Sequence, residues 1–173
     1  GSGLVQAALQ GADTVLLSAL INGFVFNVFS APEITSPAQL KGKKMGVSRY
    51  GATSDFAVRL AMKKWGLNPD RDVNILQIGT SQDIVRAMQT KMLDAGVMSG
   101  ASSFVARKAG FRELADLADL GLDYPTSAVG TTRSFMQKNE AVVKEFTLAY
   151  IEAIHDFKRN KEAAVKVLQK YTR

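Results

Sequence analysis

The sequence contains no cysteine, so disulfide bonds, thiolate metal ligands and cysteine nucleophiles are excluded. Histidine is nearly absent as well, because His155 is the only one and it stands in a helical segment near the C-terminus. Asp116, Asp119 and Asp123 are spread along a loop without histidine partners, which does not favour a metal site. Phosphate-loop, serine-elbow, zinc-protease and paired-carboxylate patterns are also missing. We therefore expect no catalytic residues, no cofactor and no metal, and we do not expect an enzyme.

Long hydrophobic runs are also lacking, so we expect no membrane span. The most hydrophobic region, Thr14 to Val28, is interrupted by polar residues and a glycine. The chain begins with Gly-Ser-Gly and has no basic segment of the kind that starts a signal peptide. The cysteine-free composition is compatible with the cytosol and with the periplasm.

The charge is one-sided, with 22 Lys and Arg against 16 Asp and Glu, a formal net charge of +6. The basic residues are dispersed, and the densest group is Lys41, Lys43 and Lys44. No aromatic residues alternate with them as in a base-stacking platform, so we do not expect a nucleic-acid partner. A basic surface of this kind suits an acidic environment or an anionic ligand.

Strands and helices alternate through the middle of the chain, which predicts an α/β fold. Expected strands cover Lys44–Val47, Val73–Ile78, Ala95–Met98 and Arg112–Asp116, and expected helices cover Asp55–Trp65, Ser81–Lys91 (with Ser81 as N-cap) and Ala101–Ala109. Tandem βα units form a mainly parallel sheet with helices on both faces.

The flanking segments do not complete a domain by themselves. We expect strands over Asp13–Leu20, Phe24–Phe29 and Ser127–Arg133, then helices over Asn139–Arg159 and Lys161–Tyr171. The predicted division is partial lobe one in residues 1–40, lobe two in residues 41–127, and a return strand with C-terminal helices on lobe one in residues 128–173. Crossings between the lobes are expected near Pro32–Gln39 and Tyr124–Gly130.

Apolar residues in the long C-terminal helix recur at helical spacing, at Val143, Phe146, Tyr150, Ile154 and Phe157. This spacing predicts one buried stripe.

The richest local pattern is the small-residue turn Ser48–Ser54 between a buried strand and an amphipathic helix. Free backbone N–H groups at a helix start, together with the helix dipole, can hold an anion. Alternatively, Thr53 or Ser54 caps the helix and no ligand binds there. Both interpretations remain open at this point.

Several segments resemble the substrate-binding proteins of ABC transporters of the nitrate, sulfonate and taurine class, which also includes binders of thiamine-pyrimidine precursors. The segments are ITSPAQLKGKKMGVSRYGATSDFAVRLAMKKWGLNPDRDVNILQIG, SQDIVRAMQTKMLDAGVMSG, KAGFRELADLADLGLDYPTSAVGTTRSF and NEAVVKEFTLAYIEAIHDFKRNKEAAVKVLQKYTR. Their order and spacing carry the resemblance, which covers nearly the whole chain.

The resemblance implies a type II periplasmic-binding-protein-like fold, with one complete parallel-sheet lobe, part of a second lobe, and ligand bound between them. It implies that this chain is a fragment whose lobe-one sheet has exposed edges prone to association. The resemblance places the turn residues Ser48, Gly51, Ala52, Thr53 and Ser54 at the ligand. Position adds two candidates: Asn22, which lies between two lobe-one strands, and Ser99, which ends a strand beside the turn, where open α/β sheets bind ligands. Arg49 would pair with the ligand, and Tyr50 would stack on it or contact it through its hydroxyl. The competing interpretations are a solvent-facing Arg49, a turn residue at Asn22 and a helix-capping segment at Ser99.

The function implied by the resemblance is an extracytoplasmic solute receptor, periplasmic or extracellular and membrane-associated. Its partners would be a small organic anion or heterocycle and an ABC permease in the membrane. One alternative is the effector-sensing domain of a transcription regulator with the same fold. A second is a binding-protein-like enzyme, although the pyrimidine-synthesising type relies on a cysteine-rich motif.

Overall fold

The structure, a computed structural model, describes residues 1–171. The strands are β1 Thr14–Asn22, β2 Asn27–Ser30, β3 Lys44–Val47, β4 Asn74–Gln77, β5 Ala95–Met98, β6 Arg112–Asp116 and β7 Pro125–Thr132. The helices are α1 Ser2–Leu9, α2 Thr53–Lys64, α3 Ser81–Gln89, α4 Ala101–Lys108, α5 Arg133–Lys138, α6 Glu140–Arg159 and α7 Lys161–Tyr171, with 3₁₀ turns at Pro37–Leu40 and Leu117–Leu120. None of the helices in this described range is long and apolar enough to cross a membrane.

A five-stranded sheet of order β4-β3-β5-β2-β6 forms the centre of the chain. Strand β3 runs parallel to β4 and β5, whereas β2 runs antiparallel to both β5 and β6. The predicted α/β fold is confirmed, and the sheet is mixed rather than wholly parallel. Because Asn27–Ser30 already belongs to this sheet, the chain enters it before Asn27, and the expected crossing near Pro32–Gln39 is wrong.

Helices cover both faces of this sheet, as predicted for tandem βα units. Helix α2 packs on one face through Val58 and Met62, beside Val97 of β5. Helix α3 packs on the other face through Ile84 and Met88. Strand β2, for example, sends Val28 into one apolar core and Phe29 into the other.

The second sheet consists of β1 and β7, which pair antiparallel from Thr14 opposite Thr132 to Asn22 opposite Pro125. Helix α1 packs against this two-stranded sheet, and α5 extends from its β7 end. The pair β1–β7 thus joins the five-stranded sheet to the terminal helices. Asn22 and Pro125 lie at the end nearest the five-stranded sheet.

The predicted apolar stripe of α6 keeps its helical spacing, but it is not buried. No residue of α6 is buried, and the side chain of Phe146 is 50% exposed. The helix packs mainly against α5 and α7. Helix α5 was not expected from the sequence, where Arg133 ended a strand.

Candidate functional site

The carboxyl ends of β3, β4 and β5 lie at one edge of the five-stranded sheet, because these strands run parallel. The Ser48–Ala52 turn follows β3, and Ser99 with Gly100 follows β5, the neighbouring strand. Ligands of open α/β sheets bind at this kind of edge. The structure therefore brings Ser99 to the same edge as the turn.

Internal hydrogen bonds define the shape of the turn. The hydroxyls of Ser48 and Ser54 lie 2.7 Å apart, and Gly51 has a φ of +73°, which favours glycine. Helix α2 begins at Thr53, and its N-cap is Ala52, which has no side-chain cap bond. The expectation that Thr53 or Ser54 caps the helix is therefore wrong, since both are already in the first helical turn.

A buried carboxylate fixes the turn from inside α2. Asp55, 7% exposed, accepts the N–H of Gly51 at 2.9 Å through one oxygen and Nε of Arg59 at 2.7 Å through the other. Arg59 also pairs with Asp70 at 2.7 Å. Burial lowers the pKa of Arg59, but its hydrogen bonds and charge pairing with Asp55 and Asp70 outweigh burial and raise this pKa above its ordinary value.

Helix α1 contacts the turn directly, through residues far away in the sequence. The hydroxyl of Thr53 donates to the hydroxyl of Ser2 at 3.2 Å. The side-chain amide of Gln6 donates to the carbonyl of Gly51 at 2.9 Å. Since Ser2 and Thr53 are the first residues of their helices, the amino termini of α1 and α2 meet here, and we call this place the α1–α2 junction.

The α1–α2 junction is rich in hydrogen-bond donors. The first N–H groups of an α-helix have no acceptor within the helix, and the helix dipole gives that end partial positive charge. Two such ends meet at the junction, together with two hydroxyls. An acceptor-rich group such as an oxyanion fits these donors.

Arg49 and Tyr50, which are neighbours in the turn, differ in their hydrogen bonding. The Arg49 side chain is exposed and has no hydrogen bond or ion pair with residues 1–171, so it is free to meet a ligand or solvent. The Tyr50 hydroxyl donates to the carbonyl of Ile75 at 3.1 Å, and the Tyr50 N–H donates to Gln77 at 3.0 Å. The expected hydroxyl contact of Tyr50 is therefore already used by β4, and only its half-exposed ring remains for stacking.

Asn22 lies apart from the turn, at the end of β1. Its side-chain amide donates to the carboxylate of Asp123 at 3.0 Å, which ties β1 to the segment before β7. This bond favours the structural interpretation of Asn22.

Three aromatic residues that the sequence did not single out cluster at α2: Phe56 of this helix, Phe24 and Tyr124. The ring of Tyr124 stacks on Phe24 and on Phe56, with centroid separations of 5.1 Å in both cases. Burial raises the pKa of the Tyr124 phenol.

Among the residues the structure describes, no cluster of three or more His, Cys, Asp or Glu could hold a metal ion.

Comparison with known proteins gives consistent results. The model of the NMT1-like family matches residues 3–170. A Brucella abortus protein described as a binding protein is 31% identical over 154 residues, which is 86% of this chain and 47% of that protein. The nitrate/nitrite binding protein NrtA of Nostoc is 27% identical over 138 residues, 78% of this chain and 31% of NrtA.

The fold also occurs in solved structures. The crystal structure of the periplasmic aliphatic sulphonate binding protein SsuA from Escherichia coli aligns with a TM-score of 0.77 and 24% identity, over 95% of this chain and 56% of SsuA. This confirms the expected periplasmic-binding-protein-like fold. The chain spans less than half the length of the two relatives above and about half that of SsuA.

Proposed function

The chain belongs to the NMT1-like family, and on that premise we propose that it is part of a solute receptor that binds a small organic anion or heterocycle for an ABC importer. The five-stranded sheet with α2, α3 and α4 would form lobe two, and α1 with the terminal helices would belong to lobe one. The ligand would lie between them, and a hinge motion of β1 and β7 would close the site. The site of action would be extracytoplasmic, with a membrane permease as partner.

The observation that carries this proposal is the hydrogen bond from Thr53 to Ser2. It supports the proposal because it joins the start of α2, next to the proposed ligand turn, to the first residue of α1. A ligand entering the cleft would replace this bond and take donors from both sides. The family relatives support the proposal, because their names are those of binding proteins.

The proposed ligand is an oxyanion, because the α1–α2 junction offers donors. Nitrate, named for NrtA, and sulphonate, named for SsuA, both present several acceptor oxygens and no donor. The nearby Asp55 carboxylate would repel an anion, but Arg59 pairs with it and offsets its charge. Arg49 would supply an additional positive charge at the rim of the site.

The experiment that tests this proposal is the Thr53→Val variant of the 173-residue chain. Nitrate, taurine and ethanesulfonate would be titrated calorimetrically into wild type and variant. A hydrogen bond to a charged group is worth about 1.5–3 kcal/mol, so the Kd should rise roughly ten- to hundred-fold.

Thr147→Val is the matched control, because Thr147 lies on α6 and its hydroxyl bonds only to the carbonyl of Val143, at 2.7 Å. It should leave every Kd unchanged. Equal affinity of wild type and Thr53→Val would remove this turn from the ligand site.

A further inference from the structure

Phe56 of α2 and two neighbouring aromatic residues, Phe24 and Tyr124, are in mutual ring contact, and we call these three residues the aromatic wall. Phe24 is buried and forms its base, with its ring centroid 6.1 Å from that of Phe56. Tyr124 bridges the other two rings at interplanar angles of 24° and 26°. The wall connects α2 to the segments that follow β1 and precede β7.

The aromatic wall begins one helical turn from the α1–α2 junction. Phe56 lies three residues after Thr53 in α2, and residues at this spacing share one face of a helix. Residues such as Val58 and Met62 point to the sheet and are fully buried, whereas Thr53 and Phe56 are not. A hydroxyl that meets α1 and an apolar ring thus lie side by side on the same face.

The wall is only partly covered by protein. Phe56 is 44% exposed although its ring stacks on that of Tyr124. The Tyr124 hydroxyl forms no hydrogen bond with the rest of residues 1–171. An open ring face beside a polar anchor can bind the apolar part of a ligand whose polar group is already held.

We propose that Phe56 and Tyr124 form an apolar subsite that takes the alkyl or aryl chain of an organic anion whose charged group is bound at the α1–α2 junction. This inference rests on the proposed function and narrows it. The receptor binds organic sulfonates or similar anions with a hydrocarbon part, and inorganic oxyanions such as nitrate bind only through the junction.

The test is a homologous series titrated into the 173-residue chain: nitrate, methanesulfonate, butanesulfonate and benzenesulfonate. Burial of each methylene against the wall should tighten binding by up to about four-fold. Wild type should therefore bind butanesulfonate and benzenesulfonate markedly more tightly than methanesulfonate. Phe56→Ala should abolish this gain, so that the Kd values of methanesulfonate, butanesulfonate and benzenesulfonate lie within about two-fold of one another.

Two further variants control for folding. Phe157→Ala removes a phenylalanine of almost equal exposure, 46%, from α6 and should leave the whole series unchanged. Phe56→Leu keeps apolar volume and should retain part of the chain-length gain. Far-ultraviolet circular dichroism and thermal melting would confirm that each variant is folded.

The outcomes separate this inference from the proposed function. Binding of methanesulfonate without any gain for the longer anions would overturn the subsite and leave the receptor function standing. A gain that persists in Phe56→Ala would also overturn it. If wild type binds none of the series, the proposed oxyanion ligand is wrong and the subsite is wrong with it.

Discussion

Asp55 shows how one side chain sets the shape of the candidate site. Its carboxylate holds the Gly51 N–H on one side and Arg59 on the other. An aspartate in the first turn of a helix is ordinarily explained by the helix dipole alone. Here the same residue also orders the turn before the helix, so its loss should affect both turn and helix.

We expect Asp55→Ala to lower the free energy of unfolding by about 2–3 kcal/mol, because it removes the acceptor of the Gly51 N–H and one of the two carboxylates that pair with Arg59. Asp55→Asn should cost less, since an amide oxygen can still accept one bond. Urea unfolding followed by circular dichroism measures the difference. Asp70→Asn, at the outer end of the chain of ion pairs and 76% exposed, should cost less than about 1 kcal/mol. Equal losses at the two aspartates would contradict this account.

The close packing around Gly96 in β5 leads to a second prediction, which concerns the stability of the protein. A Cβ added there would overlap Cγ2 of Ile84 in α3, a stiff β-branched side chain. Gly96→Ala should therefore overpack the interface and destabilise the protein by roughly 1–3 kcal/mol. Gly3→Ala is the control, because nothing lies within 4 Å of the added Cβ in α1. The denaturant midpoint of Gly96→Ala should fall clearly below that of wild type, whereas the midpoint of Gly3→Ala should not fall.

The sequence located the turn but not all its partners. The order strand, turn and helix was predicted correctly because hydrophobic periodicity and small residues are local signals. The turn ends at Ala52, however, and α2 begins at Thr53, two residues before the predicted start. Gln6 contacts Gly51 across 45 positions of sequence, and Ser2 contacts Thr53 across 51. Contacts of this separation leave no local signature, so neither residue could be found from spacing alone.

At the scale of elements, the start of α3 corrects a sequence prediction and gives a test. Ser81 was expected to be the N-cap, but Thr80 has the extended backbone of a cap, and its hydroxyl accepts the Asp83 N–H at 3.3 Å. Thr80→Ala should cost about 1 kcal/mol of stability. Ser81→Ala should be nearly neutral, and chemical unfolding of the two variants distinguishes the assignments.

The same cap predicts a dependence of stability on pH. Hydrogen bonds from the Thr80 side chain and backbone lower the pKa of Asp83 below its ordinary 3.8. A carboxylate with a lowered pKa in the folded state stabilises it above the unfolded pKa, and this contribution is lost as the pH falls through the folded value. The Tm of wild type should therefore decrease as the pH is lowered below about 4. This decrease should be smaller in Asp83→Asn. The same decrease of Tm at acidic pH in both proteins would contradict this role of Asp83.

Element order was predicted well, and element pairing was not. The strands β3 and β5 were expected within their observed bounds, because each is a short apolar run between turn residues. The antiparallel insertion of β2 between β5 and β6 was missed, since local pattern does not state which strands become neighbours. Helix α5 was missed because its six residues are too few for a periodic signal.

At the scale of the whole molecule, the terminal helices break the rule that a helical apolar stripe is buried. Phe146 stacks on Tyr150 of the same helix with a centroid separation of 6.0 Å, yet both remain accessible to solvent. Val142, one turn before Phe146, is 59% exposed. A continuous apolar surface of this kind favours association.

We therefore expect the 173-residue chain to self-associate through α6, with the apolar faces of two copies packed together. Sedimentation velocity over a wide range of protein concentrations should show a rising weight-average coefficient that persists at high salt, because apolar contacts are not screened. Val142→Ser combined with Phe146→Ser should abolish the rise. Lys144→Ser combined with Glu145→Ser changes two exposed polar residues of the same helix, leaves the net charge unaltered and should preserve it. Association that survives the apolar double substitution would place the contact elsewhere, for example at the open edges of β1 and β7.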